Sequence, residues 1–287
     1  MSQEPTRTAT PSPSVAAPPP PSPLGTMEPW NLVATGYAAE ALPYFQVFAK
    51  AALDCLNPGT DARIVDVAAG PGTLSLLAAA AGMRVSAIDF SESMVAAFRE
   101  RAQRANLMDR IDLRQGDAQQ LPFETGAYDA AFSMFGLMFF PDRAAGLREL
   151  RRVLRPGKRA LISSWVPFDG PFGELLRAAQ EVIPGLTLGG GGKPPMTDPE
   201  DIVREMTAAG FSSVAVKTVA HELTAPSFDA FWELMQRTNA PLVLIRHRMG
   251  EQRWSEVAPG LRERVRGRLP SGPLLIGRGA YFGMATA

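Results

Sequence analysis

The sequence predicts an α/β fold in which a mostly parallel sheet is covered by helices on both faces. Between residues 63 and 165, short apolar segments with strand character alternate with segments of helical spacing. The run Ile64–Val67 is the first predicted strand, Tyr128–Met134 the fourth and Ala160–Trp165 the fifth. Regular alternation of this kind indicates parallel strands joined by crossover helices. At 287 residues, the chain is long enough for one large domain.

Helices are predicted from apolar spacing and from capping residues. A helix from Glu40 to Leu56 precedes the first strand, because apolar side chains recur there at intervals of three and four. A helix of small residues, Leu74–Ala81, follows that strand. Ser91 is expected to cap the helix after the second strand, and Asp142 the helix before the fifth.

The second half of the chain departs from strict alternation. A helix is predicted to open at residues 197–200, and a sixth strand spans Ser213–Val219. The segment Ser227–Arg268 is largely helical and has no strand pattern. A last strand lies within Leu274–Thr286. An unbroken βα alternation therefore does not describe this half.

The N-terminal segment differs in composition from the rest. Residues 1–26 are rich in Pro, Ser, Ala and Thr, with four consecutive prolines at 18–21. Such a segment buries little apolar surface, so residues 1–26 are predicted to be a disordered tail. It has neither the basic start nor the apolar centre of a signal peptide. Residues 27–287 are the predicted folded domain.

Composition narrows the possible partners. The formal net charge is zero, with 29 basic and 29 acidic residues, so a nucleic acid is an unlikely general partner. The single cysteine, Cys55, excludes an intramolecular disulfide and fits a reducing, cytoplasmic location. No apolar run reaches the roughly 18 residues of a membrane span. The two histidines and one cysteine do not form a typical zinc motif, so no metal is predicted.

Acidic residues stand at the ends of three successive predicted strands. Asp66 lies within the first strand, just before a turn that contains Gly70 and Gly72. Asp89 ends the second strand, and Asp117 follows Gly116 after the third. Ligands of open parallel sheets sit at the carboxyl ends of the strands. The three acids therefore predict one nucleoside-containing ligand with a positive charge.

These residues resemble a class I S-adenosylmethionine-dependent methyltransferase of the small-molecule branch that includes the ubiquinone and menaquinone biosynthesis enzymes. The resemblance covers residues 29–287 and is sharpest over 63–165. It implies a Rossmann-like, seven-stranded sheet whose last strand is antiparallel. It also implies that Ser227–Arg268 forms a helical cap between strands 6 and 7, over the carboxyl edge of the sheet.

The resemblance implies S-adenosyl-L-methionine as the cofactor and a role for each acid. Asp66 would attract the ammonium group, Asp89 would accept both ribose hydroxyls, and Asp117 would accept the adenine amino group. The full set of implied cofactor-binding residues is Asp66, Ala68, Gly70, Gly72, Asp89, Phe90, Met94, Gly116, Asp117, Ala118 and Ser133. The sequence departs from the family at Ala68, where glycine is usual. A dinucleotide site would need a third glycine where Ser75 stands and would be repelled by Asp66.

The acceptor is expected to be a small, largely apolar metabolite such as a quinone, polyketide, terpenoid or lipid-like molecule. Met138 to Phe140 follow the fourth strand, where a pocket is expected, and Trp165, Phe231 and Trp232 add apolar surface. Tyr37 and His221 are the candidate catalytic residues. Packing alone would also account for the tyrosine, and a polar surface or cap position for the histidine.

Two other functions remain open at this stage. The arginines of the cap would suit an RNA or protein methyltransferase, although interleaved glutamates favour a solvated helix face. A cofactor-binding regulator without turnover is the other alternative. The run Gly189–Gly192 before Lys193 resembles a phosphate-binding loop, but Thr187 and Pro194 break the required pattern, so a flexible hinge is expected there. The acceptor atom and the oligomeric state are not fixed by the sequence.

Overall fold

The computed structural model describes residues 22–167, 170–183, 186 and 195–287, except the side chain at 278. Most of the predicted tail and the whole Gly189–Lys193 run lie outside these residues. The strands are β1 Arg63–Val67, β2 Arg84–Asp89, β3 Ile111–Gln115, β4 Tyr128–Met134, β5 Leu154–Trp165, β6 Ser212–Ala225 and β7 Leu274–Thr286. The helices are α1 Met27–Gly36, α2 Leu42–Leu56, α3 Thr73–Ala80, α4 Glu92–Arg104, α5 Arg143–Val153, α6 Pro171–Val182, α7 Pro199–Ala208, α8 Phe228–Thr238, α9 Ala240–Met249 and α10 Glu251–Arg266.

The strands form one sheet in the order β3–β2–β1–β4–β5–β7–β6. Neighbouring strands from β3 through β5 are parallel, and β7 lies antiparallel between β5 and β6. The predicted mostly parallel sheet with an antiparallel last strand is confirmed. The chain reverses its direction across the sheet between β1 and β4, so the topological switch point lies at the ends of these two strands.

The strand β5 is longer and less regular than predicted. Tyr128 pairs with Leu154 and Ala130 with Arg159, so the register with β4 shifts between these pairs. The predicted Pro156–Gly157 turn lies inside this irregular stretch, with Gly157 at φ 78°.

The core of the sheet is buried on both faces, as parallel sheets require. On one face, Phe48, Phe98 and Phe132 are fully buried. On the other face, Leu147, Leu150 and Ile162 are fully buried. Because both faces of the sheet are covered, a ligand can contact the sheet only at the ends of its strands and at the loops that follow them.

The segment 227–268 is helical, as predicted, and consists of α8, α9 and α10. Its apolar side chains pack together with α6 in a cluster of their own, which includes Leu175, Phe231, Trp232, Trp254 and Leu261. The helices α8 and α9 contact α1. The cap helices therefore contact α1, and α1 in turn lies next to the ends of the strands.

The N-terminal boundary of the folded domain lies earlier than residue 27. Pro23–Gly25 form a 3₁₀ turn that Ser22 caps, and the indole nitrogen of Trp30 donates to the Leu24 carbonyl at 2.9 Å. Residues 22–26, which the sequence analysis includes in the disordered tail, thus have local structure, and the Trp30 side chain connects Leu24 to α1. A π-helical turn, Tyr37–Ala41, joins α1 to α2 where the sequence predicts the start of one helix.

No helix in the described part of the chain is long and apolar enough to cross a membrane.

Candidate active site

A cavity of about 770 Å³ lies at the carboxyl ends of β1 to β4, over the topological switch point. Its volume falls within the range of about 300–1,000 Å³ that is typical of small-molecule sites. The loops after these strands form one wall. The helices α1 and α2 and the π-helical turn between them form the other, through Met27, Trp30, Tyr37 and Phe45. Residues that are far apart in the sequence therefore enclose one site.

The loop after β1 brings its backbone to the cavity. Ala68, Gly70 and Gly72 have positive φ angles of 57°, 54° and 79°. A Cβ at Gly72 would lie 2.3 Å from the Phe98 ring, so packing requires glycine there. A Cβ at Gly70 would meet no heavy atom within 4 Å, so the space beside this residue is open. Gly72 does not line the cavity itself; it shapes the turn from behind.

Asp89 is held at the end of β2 by two backbone amides. Its Oδ2 accepts from the Gly70 N–H at 2.8 Å, and its Oδ1 accepts from the Ser91 N–H at 2.9 Å. The side chain is buried, and this burial raises the pKa of the carboxyl to about 6. A carboxylate oxygen can accept more than one hydrogen bond, so each oxygen retains capacity for a ligand hydroxyl.

Asp66 lies beside it at the end of β1. Its Oδ2 accepts from the Ser75 hydroxyl at 2.6 Å. Burial raises the pKa of Asp66 to about 7, and the nearby Asp89 charge acts in the same direction. Ser75 occupies the position of a dinucleotide-site glycine, and here its hydroxyl orients an acid instead. Two buried carboxyls in one cavity provide a strong local preference for a cation.

The loop after β3 adds the third acid. Asp117 is exposed and accepts from the backbone and side-chain amides of Gln119 at 2.8 and 3.0 Å. The other implied residues that line the cavity near this loop are Phe90, Met94, Gly116 and Ala118. Among the described residues, every charged side chain that lines the cavity is acidic.

Many of the other residues that line the cavity are aromatic. The Trp30 and Phe139 rings lie 5.0 Å apart, and so do the Tyr37 and Phe45 rings. The Phe45 ring meets the edge of Phe135 at 5.4 Å. The burial of Tyr37 raises the pKa of its phenol above the usual range, so the hydroxyl stays neutral near pH 7. This end of the cavity suits a flat, apolar molecule.

Several predicted site residues lie away from the cavity. Ser133 is fully buried, and its hydroxyl has no hydrogen-bond partner among the described residues. His221 lies on β6, with its ring 5.3 Å from Tyr44 and 5.8 Å from Phe48. It does not reach the cavity, because β6 is the far strand of the sheet, beyond β7. His221 thus packs among aromatic rings outside the cavity lining, and its catalytic role stays a prediction.

Three residues that the sequence analysis assigns to the apolar acceptor surface do not line the cavity. Phe231 and Trp232 belong to the cluster of the cap helices and do not line the cavity. Trp165 stands behind the cavity wall, with its ring stacked on Phe135 at 3.9 Å. Sequence reasoning missed Trp30, Phe45 and Phe135. The apolar spacing of Trp30, Val33 and Tyr37 was the available signal, since it marks one helix face.

Comparison with known proteins agrees with this geometry. Residues 64–157 match a family described as a methyltransferase domain. The demethylmenaquinone methyltransferase of Beutenbergia cavernae is 37% identical over 139 residues, which cover 46% of this chain and 55% of that protein. An uncharacterised protein of Mycobacterium tuberculosis is 33% identical over 168 residues, or 56% of this chain and 60% of that protein. The chain thus spans about half the length of the curated relatives it matches.

Solved structures share the fold at lower identity. The [4+2]-cyclase SpnF has a TM-score of 0.60 at 18% identity, covering 94% of this chain and 97% of that one. Phosphoethanolamine N-methyltransferase 2 of Haemonchus contortus, in complex with S-adenosylhomocysteine, has a TM-score of 0.51 at 19% identity, covering 83% and 52%. At this identity the likeness establishes the architecture alone.

Proposed function

We propose that this chain, whose residues 64–157 match a family described as a methyltransferase domain, is a class I S-adenosylmethionine-dependent methyltransferase that transfers a methyl group to a small, largely apolar metabolite. One observation carries the proposal. Two buried carboxyls, Asp66 and Asp89, flank an open glycine turn at the switch point of the sheet and face a cavity whose other end is aromatic. A cationic donor and an apolar acceptor can share this cavity.

The residues at the strand ends fit S-adenosylmethionine. Asp89 would accept the two ribose hydroxyls with the acceptor capacity that Gly70 and Ser91 leave free. Asp66 would face the ammonium group. Because no cationic side chain of the described residues lines the cavity, the donor carboxylate would be held by backbone N–H groups at the start of α3.

The aromatic end of the cavity supports an uncharged or cationic acceptor. The cavity carries three acids and no described cation, so a phosphorylated or carboxylated acceptor would be repelled. Aromatic rings such as those of Trp30 and Phe139, which lie at a tilt 5.0 Å apart, provide an apolar surface for a flat acceptor. The partial match to a demethylmenaquinone methyltransferase supports a quinone-like acceptor among these.

Methyl transfer from a sulfonium donor depends more on the alignment of the two reactants than on general acid–base catalysis. The bound donor supplies a methyl group on a sulfonium, which is already a good leaving group. The protein's residues bring the acceptor atom in line with that methyl and exclude water from the site. Tyr37 stays protonated because of its raised pKa, so its hydroxyl would orient the acceptor by a hydrogen bond and would be a poor general base.

A second candidate is a cofactor-binding protein that catalyses another reaction or none. The structural match to the [4+2]-cyclase SpnF, which covers 94% of this chain, favours this candidate. That protein has the same architecture and is described as a cyclase, and one fold can serve different reactions. An RNA methyltransferase is less well supported. Arginines of the cap helices are paired with acids of the same chain, such as Arg246 with Glu251 and Arg262 with Asp229.

The test is a donor-consumption assay with pooled metabolite extract and mass detection of products that are one methyl group heavier. Methylated apolar products and S-adenosylhomocysteine support the proposal. Donor binding without any methylated product supports the second candidate. Methylation that appears only with added RNA and falls steeply with salt would replace the proposal with a nucleic-acid enzyme.

A further inference from the structure

The helix α1 forms the wall of the cavity opposite the strand ends. Met27 and Trp30 of this helix line the cavity, and Tyr37 does so just beyond its end. Across the cavity from them, Asp66 and Asp89 are only 1% and 5% exposed. Where α1 sits therefore decides how fully the two acids and any ligand between them are enclosed.

One exposed polar side chain of α1, that of Asn31, contacts the N-terminus of α4 outside the cavity lining. The Oδ1 atom of Asn31 accepts from the Ser91 hydroxyl at 2.6 Å and from the Ser93 N–H at 3.3 Å. Ser91 is the N-cap of α4, and its hydroxyl oxygen also accepts from the Met94 N–H at 3.1 Å. The amide oxygen of Asn31 therefore joins α1 to the first turn of α4.

The same serine contacts the candidate cofactor acid. The Ser91 N–H donates to Asp89 Oδ1 at 2.9 Å, so Ser91 contacts Asp89 through its backbone and Asn31 through its hydroxyl. Ser91 is completely buried. Without Asn31, the hydroxyl hydrogen of the buried Ser91 would lose its acceptor, and an unsatisfied buried donor lowers the free energy of unfolding. The contact between α1 and α4 is therefore sensitive to the residue at position 31.

The other attachments of α1 are of a different kind. Glu28 pairs with Arg248 on α9, but both side chains are largely exposed, and such pairs contribute little. Val33 and Ala34 pack against Met94 and Ala240 without directional preference. Asn31 supplies the directional link to the cofactor side.

From this arrangement we infer that Asn31 is a positioning residue, which latches α1 over the donor site through Ser91. The inference rests on the proposed function, because the ligand it encloses is the donor. A donor bound to Asp89 stabilises the same backbone that presents Ser91 to Asn31. Donor binding and closure of α1 therefore reinforce each other.

The experiment compares three variants of the full-length protein by hydrogen exchange of residues 27–36 and by calorimetry with S-adenosylmethionine. Asn31→Ala removes the acceptor. Asn31→Asp keeps an acceptor oxygen at the N-terminal end of α4, where negative charge is favourable. Thr35→Ala, at an exposed position of the same helix, is the matched control. Both alanine substitutions raise helix propensity, so a loss of protection in Asn31→Ala cannot come from a weaker helix.

We expect Asn31→Ala to lower the protection of α1 in the ligand-free protein and to weaken donor affinity, each on the order of tenfold. Asn31→Asp should restore both, and Thr35→Ala should change neither. Unchanged protection and affinity in Asn31→Ala would overturn the latch. Equal losses in Asn31→Ala and Asn31→Asp would also overturn it, since they would point to packing. A wild-type protein that binds no donor would refute the proposed function, while the exchange data would still test the contact.

Discussion

Asp66 and Asp89 both have raised pKa values, about 7 and about 6, because burial disfavours their charged forms. A cationic donor and its ribose hydroxyls favour the ionised carboxylates. Donor affinity should therefore rise as pH increases from about 5 to about 8 and level off above the higher pKa. Calorimetry across this range measures the effect. A pH-independent affinity would contradict the assignment of these acids, and Asp66→Asn should remove the upper part of the dependence.

The same two acids set the sign of the pH dependence of stability in the ligand-free protein. Each carboxyl has a higher pKa in the folded chain than the value near 3.9 expected when it is unfolded. The folded protein thus binds more protons between about pH 4 and pH 7. Its free energy of unfolding should fall as pH rises through this window. Saturating donor should reduce the fall, because the ligand stabilises the ionised form.

Ala68 and Gly136 form a pair that explains the unusual alanine. A Cβ at Gly136 would lie 2.3 Å from the Ala68 Cβ, so the chain has room for only one of the two methyl groups. Gly136→Ala should lower the free energy of unfolding by about 1–3 kcal/mol through overpacking. Adding Ala68→Gly should recover much of it. Urea unfolding of the single and double variants measures the coupling, and strictly additive effects would show that the two sites do not touch.

At the scale of elements, residues 22–26 are expected to matter and residues 1–21 are not. Gly25 and Thr26 line the cavity, and Leu24 accepts the Trp30 hydrogen bond. Deleting residues 1–21, whose Pro-rich composition adds no core, should leave the melting temperature and donor affinity unchanged. Deleting residues 1–26 should weaken donor binding and lower the protection of α1. Equal behaviour of the two truncated proteins would show that the 3₁₀ turn is dispensable.

The cap helices are expected to act on stability, since they have no side chain in the cavity. Trp232 is 5% exposed within the apolar cluster of α6, α8, α9 and α10. Trp232→Ala should cost about 3–5 kcal/mol of unfolding free energy, as for other large core truncations. Acceptor selectivity at a temperature where the variant is folded should stay unchanged. A Trp232→Ala variant with normal stability and altered acceptor selectivity would contradict this prediction and would indicate that the cap contributes to the acceptor site.

The elements around the sheet differ in how well the sequence predicts them. Tyr128–Met134 is observed with its predicted bounds, because its centre, Ala130–Phe132, is the consecutive apolar run typical of a strand buried on both faces. β6 extends six residues beyond its predicted end at Val219, to Ala225. As the outer strand it carries alternating exposed residues and register shifts, which resemble a loop in sequence.

Tertiary placement was harder to predict than helical character. The apolar faces of α1 and α8 are visible in the sequence, but periodicity does not say which element covers a face. The structure places α1, rather than the cap, over the strand ends. The acids at the strand ends were predictable as a group because parallel strands bring their carboxyl ends to one edge. His221 was not, because its strand lies at the far edge of the sheet.

At the scale of the whole molecule, the cavity combines acidic residues and a glycine turn from the sheet with an aromatic wall from the N-terminal helices. The sheet supplies Asp66, Asp89 and the glycine turn, while α1 and α2 supply rings such as Trp30 and Phe45. The cap anchors α1 from outside through contacts of α8 and α9. Under the proposed function, donor recognition and acceptor choice would therefore belong to different elements. This division predicts that changes in acceptor preference arise from α1 and α2.

The most direct test of the donor site is a calorimetric titration of the full-length protein with S-adenosylmethionine, repeated for Asp89→Ala and for the surface control Asp112→Ala. Wild type and Asp112→Ala should bind one donor with equal affinity. Asp89→Ala should lose about 1.5–3 kcal/mol of binding free energy, because a charged hydrogen-bond partner is removed. Equal affinity in a folded Asp89→Ala protein, or displacement of S-adenosylmethionine by NADH, would contradict the account.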